Sequence, residues 1–166
     1  CIVIPCEGGR AVRRSVEGKR YLNEAGQPSP LFQPELLSGD EPVFLTEGAF
    51  DALSAEELGF RAAALNGAGN REKAAALLRA RERPGPILAV TDSDAAGEAW
   101  AAALQEEFPW LYRCPPVPIG KDLNESLTAD REETERYLSA CLEDWRANRP
   151  PPYESLSAAG RMEALE

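Results

Sequence analysis

Two aspartates one residue apart, Asp92 and Asp94, follow directly on an apolar run at 87–90. In an extended segment alternate side chains point the same way, so both carboxylates can reach one cation or a pair. Glu47 closes a second apolar run at 43–46 in the same fashion, with Gly48 behind it to let the chain turn. Asp122 follows an extended segment at 111–114 and a proline-rich loop. Gathered carboxylates raise one another's pKa unless a cation sits among them. The chain has no histidine, which removes imidazole ligands, His general bases and His-containing triads. Only hard oxygen donors remain, so Mg²⁺ or Mn²⁺ is the expected guest. Such an ion can bridge phosphate oxygens and neutralise charge in an in-line displacement.

Taken singly, each acid has a plainer reading. A Glu-Gly step after a strand is a common helix entry, and Asp-x-Asp before a helix can simply cap it and complement its dipole. Asp51 can be a solvated first-turn acid, and Asp122 can cap the helix behind it. What sets them apart is their joint position. The runs at 43–46, 61–65, 87–90 and 111–114 read as strands, the first as a buried one; the third is continuously apolar, as a central parallel strand should be. Helical spacing fills 49–58, 70–81, 95–108, 122–127 and 132–145. Repeated strand–helix steps imply a parallel sheet covered by helices, with right-handed crossovers. Ligands bind such sheets outside the carboxyl ends of the strands. Glu47, Asp92, Asp94 and Asp122, from three strand ends, are therefore expected on one rim.

Upstream, residues 1–40 read as a small, mostly β subdomain of short strands and turns, with extended pieces at 2–5 and 20–22 and a loop over 23–34. The expected division is 1–40, a catalytic α/β domain over 41–148, and a tail or linker over 149–166 after Pro150-Pro151-Pro152.

The motifs Glu47-Gly48-Ala49-Phe50-Asp51 and Thr91-Asp92-Ser93-Asp94-Ala95-Ala96-Gly97 resemble the TOPRIM domain shared by bacterial-type primases, topoisomerases and some nucleases. Asp-x-Asp-x-Ala-Gly is nearest to primases. Lys121-Asp122-Leu123-Asn124-Glu125 is similar to the third acidic motif of phage and mobile-element primases, and Lys19-Arg20-Tyr21-Leu22-Asn23 with Pro30-Leu31-Phe32 to their basic subdomain. The resemblance spans about residues 1–145. It implies a TOPRIM, Rossmann-like parallel sheet and a DNA primase core that makes RNA primers on single-stranded DNA. Metal would be held by Asp92, Asp94 and Asp122, with Glu47 as ligand or acid/base and Asp51 in the same cluster. Arg13, Arg14, Lys19, Arg20 and Lys121 would meet template, nucleotide or primer phosphates; a solvated strand face is the competing reading of the basic run. Nucleoside triphosphates and single-stranded DNA are the implied partners, with a replicative helicase as a further one. Many primases carry a second acid where Asn124 stands, so one metal is expected to bind more weakly. No Walker A loop is present, and helicase activity is expected to lie outside this piece.

Composition bounds these readings. Of 166 residues, 43% are apolar and 28% charged, ordinary for a globular domain. The net charge of −10 argues against a nucleic-acid binder, but residues 1–23 hold five basic side chains against two acidic ones. A local basic strip, or bound metal, can still grip a phosphate backbone. Cys1, Cys6, Cys114 and Cys141 lack the paired spacing of a zinc site and are expected to be free thiols. No run has the length of a membrane span and no signal peptide opens the chain, so a cytoplasmic protein without membrane contact is expected. The missing initiator Met reads as a piece of something longer. Three rivals stay open: a TOPRIM nuclease, a topoisomerase-like phosphoryl transfer, and a degenerate TOPRIM that only binds DNA or docks a helicase. A haloacid-dehalogenase-type phosphatase is discounted, because its Asp-x-Asp follows the first strand and here it follows the third.

Overall fold

A computed structural model describes residues 1–18, 20–22, 26–67, 70–80 and 86–148. Lys19 and the expected tail over 149–166 lie outside the described residues. A hairpin opens the chain: β1 (Ile2–Pro5) pairs antiparallel with β2 (Ala11–Arg14), Ile4 opposite Val12. Both of these side chains are buried against the main core, whereas Val3 and Arg13 on the other face are exposed.

The main body alternates β3 (Val43–Thr46), α1 (Ala49–Glu57), β4 (Ala62–Ala64), α2 (Arg71–Arg79), β5 (Ile87–Val90), α3 (Ala95–Glu107) and β6 (Tyr112–Arg113). Two further helices follow, α4 (Leu123–Ala129) and α5 (Arg131–Asn148). The four strands form one parallel sheet in the order β4-β3-β5-β6. Alternate side chains of β3 and β5 leave on opposite faces, and both faces are covered. Phe44, Leu88 and Val90 pack with Ala52 of α1, Leu123 of α4 and Leu138 of α5. Val43, Leu45, Ile87 and Ala89 pack on the other side with Leu78 of α2 and Trp100 of α3. Fully burying a side chain such as Phe44 contributes about 1.5–3 kcal/mol, and every residue of β3, β4 and β5 is buried. This is the helix–sheet–helix arrangement expected from the strand–helix alternation.

The structure differs from the sequence reading at the rims. The extended segment read over 111–114 holds only Tyr112 and Arg113 as strand, although Cys114 N still donates to Ala89 O at 2.9 Å. Pro115 then ends the ladder, since it has no N–H to give. Within the loop expected over 23–34, Phe32 exchanges two backbone hydrogen bonds with Ala64, at 2.9 and 3.0 Å, and lies antiparallel along the free edge of β4. Pro34–Ser38 then forms a 3-10 turn and buries Leu37. The extended piece at 20–22 is reduced to one bridge, Tyr21 to Arg14. Among the described residues no helix is long and apolar enough to cross a membrane.

Candidate metal centre

Register decides where the acids meet. Thr46 lies beside Val90 in the β3–β5 ladder, so the residues that follow, Glu47 on one strand and Thr91-Asp92 on the other, leave the sheet side by side. Glu47 Oε1 accepts the Asp92 N–H at 3.0 Å. The Thr46 hydroxyl is fully buried and lies 3.0 Å from the Gly48 carbonyl, to which it donates, fixing the turn into α1. Gly97 explains how closely α3 approaches: a Cβ there would lie 2.1 Å from Asp92 O and 2.8 Å from Glu47 Oε1.

Asp94 caps α3, its Oδ1 accepting from Ala96 N at 3.0 Å and Gly97 N at 2.9 Å. Asp122 caps α4, accepting from Glu125 N at 2.7 Å. The plain capping reading is therefore true of both, and it leaves each a second oxygen. That of Asp94, Oδ2, stands 3.0 Å from the Lys121 ammonium, and Asp92 Oδ2 stands 3.1 Å from the same nitrogen. The loop bearing Lys121 is tied to the aspartates by its backbone, Ser93 N donating to Lys121 O at 2.7 Å. Asp51 reaches across from α1, its Oδ1 accepting Asn124 N at 3.1 Å, and the Asn124 amide donates to Ser54 Oγ at 3.1 Å.

The electrostatics follow from this crowding. Burial pushes the Asp51 carboxyl up to about 7, helped by the neighbouring charge of Asp122 and then of Asp92 and Glu47. Burial also raises Glu47, with Asp92 and Asp94 adding to it. Asp92 is raised by burial in spite of its Lys121 partner. Asp94, only partly exposed, is held below the ordinary range by the Gly97 amide and Lys121. Lys121 in turn holds its proton well above the usual lysine range, through Asp94 and Asp92. Part-buried carboxylates that resist ionisation are groups a cation would stabilise.

Among the described residues no group of three or more acidic or thiol side chains stands ready around a metal ion. The fit is instead tested by Lys121. Two carboxylate oxygens already converge on one positive centre, and the surrounding donors are all hard oxygens, which suits Mg²⁺ or Mn²⁺. Asp92 and Asp94 would hold such an ion, with Asp122, Glu47 and Asp51 nearby in the same electrostatic cluster.

Of the basic residues singled out in the sequence, Lys121 lies in the cluster and Arg14 beside it, its guanidinium 4.4 Å from the centre of the Phe50 ring. Arg13 faces the other side of the hairpin and Arg20 is exposed; neither is brought to the acids by a described contact. Sequence reasoning missed three residues. Arg71, over the Trp100 ring at 6.0 Å, is close enough to Glu47 to lower it. The Tyr21 hydroxyl is raised chiefly by burial, and also feels Asp51, Asp122 and Asp92. Asn66 ends β4 in a left-handed conformation, φ 57°. Its Oδ1 accepts Ala49 N at 2.8 Å, its amide donates to Pro30 O at 2.8 Å, and its backbone N–H donates to Glu47 O at 2.9 Å. The strand-end rule that found the acids would have found Asn66 too, had it been applied to β4.

The Toprim-like family matches residues 44–127, half of the chain, and the chain belongs to that family. Several solved structures share its fold. The primase fragment of the bacteriophage T7 primase-helicase protein is 22% identical over 80% of this chain and 57% of its own, with a TM-score of 0.60. The zinc-binding and RNA polymerase domains of the Aquifex aeolicus primase are 21% identical over 99% of this chain and 44% of their own, with a TM-score of 0.61. A third structure holds the T7 lagging-strand DNA polymerase with primase domains bound to an RNA/DNA hybrid and dTTP; it is 18% identical over 85% of this chain and 74% of its own, at a TM-score of 0.63. The chain thus spans about half the length of the first and of the Aquifex protein. No curated protein matches it significantly.

Proposed function

We propose that this chain is the catalytic core of a DNA primase, joining ribonucleotides on a single-stranded DNA template by metal-dependent nucleotidyl transfer. The observation that carries the reading is the shared cation seat: Oδ2 of Asp92 and Oδ2 of Asp94 meet at one positive centre on the carboxyl rim of a Toprim-like sheet. The likeness in fold to primase structures, two of them from phage T7, supports the choice among Toprim reactions.

A bound Mg²⁺ or Mn²⁺ would supply neutralisation of the triphosphate and stabilisation of charge in the in-line displacement. Asp92 and Asp94 are assigned its direct ligation, with Asp122 and Asp51 completing the negative field. In nucleotidyl transfer a 3′-hydroxyl oxygen attacks the α-phosphorus and pyrophosphate leaves. The hydroxyl proton must go to a base, and Glu47, raised by burial and oriented by the Asp92 N–H, is assigned that role. Arg14 and Arg71 flank the cluster and are assigned to substrate phosphates, together with Lys121, the exposed Arg13 and Arg20, and Lys19. A single-stranded template, nucleoside triphosphates and a replicative helicase are the proposed partners.

De novo synthesis on single-stranded template with Mg²⁺ or Mn²⁺, by the intact protein that contains this chain, is the test. Asp92→Ala is expected to abolish product while leaving the circular dichroism spectrum unchanged. Synthesis that survives in the folded variant would falsify the assignment. Cleavage of the DNA without synthesis would favour the nuclease reading, and DNA binding with neither reaction would favour the degenerate one.

A further inference from the structure

Lys121 does more in the structure than stand ready for a phosphate. Its ammonium fills the space between Asp92 Oδ2 and Asp94 Oδ2, at 3.1 and 3.0 Å, which is where a divalent ion would gain both oxygens. The two cannot share that position, because an ammonium and a divalent ion would repel at such range.

The backbone of Lys121 is held on both sides. Its carbonyl accepts Ser93 N at 2.7 Å and its N–H donates to Glu125 Oε2 at 3.0 Å. Gly120 in front of it takes φ 76°, a left-handed turn, and a Cβ there would lie 2.8 Å from Glu125 Cβ. The side chain is the part free to move, and it is half exposed. A long, flexible stem on a fixed root can withdraw into solvent without disturbing the loop that carries Asp122.

We propose that Lys121 is a built-in counter-ion, which holds the Asp92–Asp94 pair together in the metal-free protein and must be displaced for a divalent cation to bind. The inference rests on the metal-site reading above. It assigns Lys121 two effects of opposite sign: the ammonium stabilises the empty site and weakens the affinity of that site for metal. A lysine with a merely structural part would weaken both when removed.

The measurement is Mn²⁺ affinity by isothermal titration calorimetry, at fixed pH and ionic strength, on the intact protein. Lys121→Met is expected to tighten Mn²⁺ binding by on the order of threefold to tenfold, the equivalent of losing a partly exposed ion pair, and to lower the melting temperature of the protein in EDTA. Lys121→Arg should restore both values towards wild type. Lys73→Met, which removes one positive charge where Lys73 pairs with Glu7 and not with the acids of the cluster, should change Mn²⁺ affinity little and so controls for net charge. Should Lys121→Met fail to fold, Lys121→Gln gives the same readout. Equal or weaker Mn²⁺ binding in the folded Lys121 variant, with Asp92→Asn still abolishing it, overturns the counter-ion role and leaves the metal site standing. A tightening matched by Lys73→Met also overturns it. If the folded wild-type protein takes up no Mn²⁺ at all, the metal-site reading fails and this one with it.

Discussion

Without a bound cation Asp51 holds its proton up to about pH 7, because burial and Asp122 oppose its charge, and this has a direction in stability. The folded protein keeps the proton between the ordinary value of 3.8 and about 7, where the unfolded chain releases it. The contribution of Asp51 is thus full below that window and is lost as pH rises through it. Asp51→Asn keeps an acceptor for Asn124 N and cannot ionise. In EDTA, its stability relative to wild type is expected to climb as pH rises across this window and then level off, measured by urea unfolding. A difference that stays flat would remove the buried charge from the account. Gly97→Ala probes the closest contact at the same rim. Overpacking against the Asp92 carbonyl and the Glu47 carboxylate should cost about 1–3 kcal/mol or more, and should impair metal uptake even where the protein folds. In the sequence, Gly97 closes the Asp-x-Asp-x-Ala-Gly motif, but nothing there says why a side chain is excluded. Its constraint is the Asp92 carbonyl five residues earlier, where the chain folds back over the helix start, together with the Glu47 carboxylate 50 positions away, and spacing alone does not show either approach. The Lys121 contacts were hidden for a similar reason: adjacency to Asp122 is visible in the chain, whereas proximity to Asp92 depends on how two loops fold over one another.

At the level of elements, all four strands of the main sheet were read, and the bounds were sharpest for β3 and β5 at its centre. Continuous apolar runs made β3 and β5 plain to within a residue, and the helices follow from their periodicity. The rim of the sheet was less legible. β4 is three alanines, chosen for close packing rather than β propensity, and its extension by Phe32 comes from a segment crowded with prolines. Asn66 joins these parts. It binds the first turn of α1, the segment at Pro30 and the carbonyl of Glu47 at once. Asn66→Ala should therefore cost about 1–3 kcal/mol from hydrogen-bonding groups left unpaired, and hydrogen exchange should quicken at Ala49 and at residue 32 together. Exchange quickening at only one of them would break the link between the upstream segment and the site.

For the whole molecule, the net charge of −10 sits badly with the polyanionic template proposed above. The acids gathered around Asp51 and Asp92 lie where the proposed cation would offset them, with Arg71 near enough to Glu47 to lower it and Arg14 against Phe50, the residue before Asp51. Ligand binding to the folded state alone raises stability by RT ln(1 + [L]/Kd), about 2.7 kcal/mol at a hundredfold excess over Kd. Millimolar Mg²⁺ is accordingly expected to raise the melting temperature of wild type and to leave that of an Asp92→Asn, Asp94→Asn double variant unmoved, by differential scanning fluorimetry. Equal shifts in both would mean that the ion binds elsewhere.

The two rims of the sheet also govern how the protein behaves in company. One is closed by Phe32, running against the direction of its neighbour, and the other is two residues long and stopped by prolines. An open rim is a template on which a stray chain can dock, and both devices withhold it. Replacing Phe32 with proline would strip the cover from β4, and the consequence should show as concentration-dependent light scattering and thioflavin-positive fibres before any change in chemistry.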